Sequence, residues 1–373
     1  MNEPRLVERG NFRIGLIVPR SGSAGIYGPS CRSCAELAVE EVNRSGGIDG
    51  RTVALTLIDG SQNPMQVAQL VRTMLDAGML DALIGMHESD VRKAVLQEVS
   101  GRIPYIYTAN YEGNETADFV ISIGLTTYQQ TLHSVSWLKE HRQVNQWSLI
   151  GNDYSWPRQV AEDLRKIVQT ADCTLSGVQY VPLGSTDFTR CLKSLFEAGS
   201  DAVFVALVGA DAVHFNRQFV QAGFDKTMLR FLPLLEENTL IAAGPNAATG
   251  VFTAGIYFAD MDSPENADFL KRYEAFAGTT APQLNAFAIS CYEGVQLLKT
   301  IFEAVESRDA AAMVSAFEGR AFQSLQGPTV INGRHSVRDV LLAEASEDGF
   351  SVRARFSSVY ASPNPQRKQS QTT

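Results

Sequence analysis

The chain has 373 residues, of which 45% are hydrophobic and 20% charged, with a formal net charge of −9. That is globular composition, and the length suits two domains, each with its own core. The acidic residues are scattered and no basic block is present, which excludes the electrostatic footprint of a nucleic-acid or anionic-membrane binder. No apolar run approaches the roughly 18 residues needed to span a bilayer.

The polar N-terminus MNEPRLVERG carries no apolar leader segment. The expectation is a soluble, cytoplasmic protein, with a periplasmic place as the alternative had a leader been removed. The first third then alternates strand and helix. RIGLIVP (13–19) reads as a buried strand, followed by a helix over 30–44 that Ser45, Gly46 and Gly47 stop. TVALTLID (52–59) is the next strand. Asn63 caps a helix with Pro64 in its first turn, and Val67, Leu70, Val71, Met74 and Leu75 make a one-sided stripe. Strands over 81–85 and 103–108 follow, with Ser89 placed to cap the helix between them.

The rhythm restarts near Phe119. Strands over 147–150, 175–181, 202–207, 228–233 and 251–257 alternate with helices, and helices over 267–276 and 286–305 precede a β-rich end. Repeated βαβ units imply parallel sheets covered on both faces. The fold class expected is α/β, with two Rossmann-like lobes.

Several chemistries are disfavoured. The loop PRSGSAGIYG (19–28) spaces its glycines unlike a dinucleotide fingerprint and lacks a phosphate-loop lysine. It reads as a flexible loop at the crevice edge. No histidine pairs with another at metal-ligand spacing, and MHESD (86–90) points its neighbouring side chains to different faces. There is no nucleophile elbow. Cys31 and Cys34 open an amphipathic helix and read as core thiols rather than a redox or metal pair. No cofactor and no catalytic residue is expected.

What remains is a set of strand ends. Ser89 follows the third strand and Tyr107 the fourth. Tyr154 and Trp156 sit in GNDYSWPRQ (151–159), Val208 and Gly209 follow the next strand, and Glu236 lies further on. In doubly wound domains such ends face the ligand crevice. Hydroxyls, backbone groups and carboxylates between aromatic walls suit a small polar ligand.

These residues carry a resemblance. ELAVEEVNRSGGIDGR (36–51), LIGMHESDVRKAV (83–95), NYEG (110–113), GNDYSWPRQ, DAVFVALVG (201–209), QGPTVIN (326–332) and RHSVRDV (334–340) resemble the type I periplasmic-binding-protein family, and most closely its amide- and urea-sensing branch. That family also includes branched-chain amino acid substrate-binding proteins of ABC transporters. The resemblance implies two lobes joined by three crossovers, near Ile123, near 254–257 and near 329–332. The first lobe would hold 12–122 plus 256–330 and the second 123–255 plus 331–361, with 362–373 a flexible tail.

It also implies a ligand-binding role for Ser89, for Tyr107 and Asn110 in the pocket loop, and for Tyr154. Trp156 and His87 stand where the branch has tyrosines. Glu236 falls where amino-acid-binding relatives hold an ammonium group, although a helix-start carboxylate is the simpler reading. The expected protein is not an enzyme. It is a sensor that closes on a small amide, urea or amino-acid-like molecule, with an RNA-binding antiterminator as partner and a homodimer as its assembly. The alternative is the substrate-binding component of an ABC uptake transporter.

Overall fold

The computed structural model describes residues 10–113 and 115–362, so the expected tail from 363 onward lies outside the described residues. The first unit runs β1 (Phe12–Val18), α1 (Gly28–Arg44), β2 (Val53–Asp59), α2 (Pro64–Asp76), β3 (Ala82–Gly85), α3 (Ser89–Val99), β4 (Tyr105–Tyr107) and β5 (Val120–Ser122). The second runs α4 (Thr127–Arg142), β6 (Gln146–Asn152), α5 (Ser155–Thr170), β7 (Thr174–Val181), α6 (Thr189–Ala198), β8 (Ala202–Ala206), α7 (Ala210–Gln221), β9 (Leu229–Phe231), α8 (Glu237–Ala243) and β10 (Val251–Gly255). Then come α9 (Pro264–Ala277), α10 (Ala286–Ala304), α11 (Ala310–Ala316), β11 (Ala321–Ser324), β12 (Gly327–Asn332), β13 (His335–Ser346) and β14 (Gly349–Val359).

The strands form one curled, mostly parallel sheet in the order β2-β1-β3-β4-β5-β13-β10-β9-β8-β6-β7. Its first half packs around Ile14, Leu83, Ile106 and Leu298. Its second half has separate cores on its two faces, one around Trp147, Leu164 and Phe252, the other around Phe204's neighbours Val203 and Val205 with Phe215 and Phe219. The five cysteines are free and buried, consistent with core thiols.

Local signals fix the joints. Asn63 Oδ1 accepts from Met65 N at 3.0 Å, capping α2 as its sequence implies. Thr126 and Gln129 form a capping box at the start of α4. Gln129 Nε2 then donates to Ser336 O at 2.9 Å and Val359 O at 2.8 Å. The first passage between the halves is thereby tied to β13.

β13 carries the third passage itself. His335 pairs with Ser122 of β5, whereas 341–344 pair antiparallel with β10. The 329–332 stretch expected to cross instead belongs to β12, which pairs with β11 and the start of β13. Its apolar alternation is that of a hairpin strand, and alternation alone cannot say which strand of a ribbon changes sheet. Inside this joint Arg338 Nη2 donates to Glu293 Oε2 at 2.6 Å, with both side chains almost wholly buried.

Candidate functional site

β1, β3 and β4 in the first half, and β6 and β8 in the second, run parallel within their sheets. The loops after them meet in a cleft. The two sides are in contact. Ser23 Oγ donates to Asp211 Oδ1 at 2.6 Å, Gly209 N donates to Tyr27 Oη at 2.9 Å, and Ser155 Oγ donates to Asp90. Gly209 has φ +46°, and a Cβ there would lie 2.0 Å from Ser23 O. The cleft is therefore closed, and the approach of the two halves needs a glycine at this point.

Between these contacts lies a cavity of about 40 Å³. His87, Ser89, Asn110, Tyr154, Trp156 and Val208 line it, as do Tyr27, Glu88, Leu234 and Phe287. Tyr154 packs against the cores of both halves, with its ring 6.4 Å from Trp156. Its hydroxyl makes no hydrogen bond among the described residues, and burial, then the Glu88 charge, pushes its pKa up. Trp156 is 2% exposed, and its Nε1–H is a buried donor with no partner. An orphaned donor of this kind costs about 1–3 kcal/mol until something accepts from it.

Other expected contacts are spent inside the protein. Ser89 does not cap α3. Glu88 occupies the N-cap position without a side-chain cap bond, and Ser89, one residue later, donates its hydroxyl to Glu112 Oε2 at 2.6 Å. Glu112 also accepts from Arg92 at 2.9 Å, so the Ser89 proton is held by a buried ion pair. Tyr107 lies outside the cavity lining. Its hydroxyl donates to His87 O at 2.5 Å, and Arg92 stacks 5.2 Å from its ring centroid.

His87 Nδ1 lies 3.1 Å from Glu88 O, and Nε2 lies 2.7 Å from Tyr105 Oη. A carbonyl only accepts, so Nδ1 carries the proton and Tyr105 donates to Nε2. Burial lowers the His87 pKa to about 4, so the ring is neutral at ordinary pH. Val208 contributes its side chain alone, because its N–H donates to Asn152 Oδ1 at 2.9 Å and its carbonyl accepts from Asp211 N. Asn110 Oδ1 accepts from Leu125 N at 3.0 Å.

Glu236 also departs from the ligand-holding expectation. It lies outside the cavity lining and caps α8, accepting from Thr239 N at 2.7 Å and Asn238 N at 2.8 Å. Burial raises its pKa to about 7 against those hydrogen bonds.

Glu88 was passed over by the sequence reasoning except as a weak metal ligand. The residue lines the cavity, and its carboxyl makes no hydrogen bond among the described residues. Burial, then the charges of Asp90 and Asp211, raises its pKa to about 7 from 4.5. A carboxyl whose folded pKa is raised binds protons more tightly in the folded state. Its contribution therefore falls as pH rises from about 4.5 to about 7 and stays lost above that. Glu88→Gln is expected to raise ligand-free stability at pH 8 by on the order of 2 kcal/mol and to leave it unchanged at pH 4.5. Denaturant melts at both pH values check this against wild type, which cancels the similar titrations of Glu236 and Glu237.

A family model for periplasmic binding proteins matches residues 11–349. The chain belongs to the periplasmic binding protein family. The Leu/Ile/Val-binding protein homolog 6 of Brucella melitensis is 26% identical over 347 residues, covering 90% of this chain and 87% of that relative. A solute-binding protein of an ABC transporter from R. palustris, solved with 4-hydroxybenzoate, superposes with TM-score 0.85 at 19% identity, covering 94% of this chain and 98% of its own. The branched-chain amino acid transporter substrate-binding protein of Streptococcus pneumoniae, solved with isoleucine, gives 0.79 at 19%, covering 92% and 98%. At that identity the structures show the fold, which is the type I arrangement expected. These relatives are solute-binding proteins, and this periplasmic binding protein is likewise a binder rather than an enzyme. The expectation of a cytoplasmic protein finds no support in the family. Among the described residues no helix is long and apolar enough to cross a membrane.

Proposed function

We propose that this chain is the substrate-binding component of an ABC-type uptake system, working in the periplasm. Its ligand is a small amino-acid-like or amide molecule that closes the two lobes around itself. The single observation carrying the ligand class is the buried donor Trp156 Nε1–H, without a hydrogen-bond partner among the described residues, in a cavity that Glu88 also lines.

Each group asks for a different half of the ligand. Glu88 takes N–H groups, whether ammonium or amide. Trp156 Nε1–H, the Asn110 amide and the uncapped start of α3 at Ser89 take a carbonyl or carboxylate oxygen. Leu234, Phe287 and Val208 supply an apolar wall for a short side chain. Glu88 and Asp90 make the cleft unfavourable for a bare anion, so a zwitterion or a neutral amide fits better than an aryl carboxylate. Tyr154 and Tyr27 close over the ligand from the two lobes.

The regulatory reading, with an antiterminator partner and a homodimer, rests on the resemblance to the amide-sensing branch and on the expectation of a cytoplasmic protein. The relatives favour uptake, and no residue described here favours the regulator.

The test is a thermal-shift screen of branched-chain amino acids, short amides, urea and hydroxybenzoates. A ligand at about 100 times its Kd adds about 2.7 kcal/mol of stability. Calorimetry should then find Tyr154→Phe and Trp156→Phe, which keep most of each buried ring, each weaker by about 1–3 kcal/mol. Stabilisation by 4-hydroxybenzoate, with none by amino acids or amides, would sink the proposed ligand class.

A further inference from the structure

A second groove, of about 430 Å³, lies away from the cleft. Its walls are the start of α8, the loop after β10, the turn between β13 and β14, and Gln283 in the segment that runs into α10. Four carboxylates line it, Glu237, Asp260, Glu347 and Asp348, and no Lys or Arg does so among the described residues.

One of these is not a solvated surface acid. Glu237 is 6% exposed. Its Oε1 accepts from Ala259 N at 2.6 Å, but its Oε2 is buried with no hydrogen-bond partner. A buried carboxylate oxygen left in this way normally finds a donor or cation. Burial, opposed by the Ala259 bond, raises the Glu237 pKa to about 8, which is the response of a carboxyl without its counter-charge.

The groove is also held in shape. Asp260 Oδ2 sits where a Cβ on Gly349 would come within 2.2 Å, and Gly349 has φ +130°. A side chain at 349 would displace the Asp260 carboxylate and strain the backbone, so the turn favours glycine. The groove therefore spans the second lobe and the segment returning to the first.

We propose that this groove is a second binding site, taking a small aliphatic ammonium ion of the diamine class. Among the described residues no three His, Cys, Asp or Glu side chains are grouped to hold a metal ion. The carboxylates are instead spread along a groove with Leu240, Ile241 and Pro245, and Ile241 is 67% exposed. One ammonium donates to Glu237 Oε2 and Asp260, the methylene chain lies on Leu240 and Ile241, and the second ammonium meets Asp348 or Glu347. The site is independent of the cleft ligand.

The test titrates the whole chain with 1,4-diaminobutane by calorimetry, beside calcium chloride. The expected result is saturable one-site binding of the diamine, retained in Tyr154→Ala and at least tenfold weaker in Glu237→Gln and in the surface variant Asp260→Asn. Glu237→Gln keeps the Oε1 acceptor for Ala259 N, so its fold is retained. No saturable binding at millimolar diamine overturns the proposal, as does equal affinity in both groove variants. Loss of binding in Tyr154→Ala alone places the diamine in the cleft and also overturns it. Calcium binding with the same sensitivity to the groove variants, without diamine binding, makes the groove a metal site and overturns the ligand class.

Discussion

Gly209→Ala is expected to abolish ligand-driven closure and to weaken ligand binding by about 100-fold, equivalent to about 2.7 kcal/mol. The Cβ would enter Ser23 O at 2.0 Å, a backbone atom that cannot rotate away. Gly209 also adopts φ +46° and ψ −111°, outside the region open to L side chains, which adds strain of about 1–3 kcal/mol. The two halves must part to relieve the overlap. Parting breaks the Gly209–Tyr27, Ser23–Asp211 and Ser155–Asp90 bonds, each of which exists only across the closed cleft. The overlap lies between two loops, outside the β-strands and α-helices that form the cores, so the variant should fold. Gly199→Ala is the control. It too sits at positive φ, +61°, but its Cβ meets nothing within 4 Å, so it carries strain without the overlap. Small-angle scattering with saturating ligand should show contraction for wild type and Gly199→Ala, and none for Gly209→Ala.

The largest effect on stability is expected at Glu293. Glu293→Ala should cost about 3–5 kcal/mol, because it strands the Arg338 guanidinium in the interior. Arg338 has no exposed side-chain surface and Glu293 has 2%. Arg338 also donates through Nε to Ser336 Oγ at 3.2 Å, and Glu293 Oε1 accepts from Leu325 N at 3.1 Å. The pair thus anchors the strand that passes between the lobes to α10 of the first lobe. Glu293→Leu with Arg338→Met, which removes both charges together, should recover most of the loss. Arg338→Lys should not, since one ammonium cannot reach both Glu293 and Ser336 from a guanidinium's position. Denaturant unfolding of the three variants distinguishes these outcomes.

Much of the framework was legible because it rests on local rules. Asn63 before Pro64 signals a cap, the stripe on α2 signals its buried face, and apolar runs bounded by turns signal the parallel strands. The strand-end rule drew attention to Ser89, Tyr154, Trp156 and Val208, and the resemblance added His87 and Asn110; all six line the cavity. It could not say which polar atoms are free. Ser89, Tyr107 and Glu236 spend theirs on Glu112, on the His87 carbonyl and on the α8 cap, and those partners come from tertiary packing rather than sequence spacing.

Other lining residues carried no strand-end signal. Tyr27 sits in a glycine-rich loop that reads as mere crevice edge, yet its hydroxyl joins the lobes. Phe287 comes from the start of α10, far along the chain from the loops of β3 and β4 whose residues line the cavity with it. Glu88 was weighed only against metal chemistry, and its significance lies in the lack of a partner. Closure at Gly209 depends on a backbone-to-backbone approach between loops distant in sequence.

If Glu88 reads the N–H-bearing end of an amino-acid-like ligand inside the closed cleft, removing its charge costs affinity. The most direct measurement is a paired calorimetric titration at pH 8, using the amino acid or amide that most stabilises the wild-type chain, into wild type and Glu88→Gln. At least a tenfold loss of affinity is expected in Glu88→Gln, although that variant is the more stable of the two without ligand. Equal or tighter binding by Glu88→Gln would contradict it.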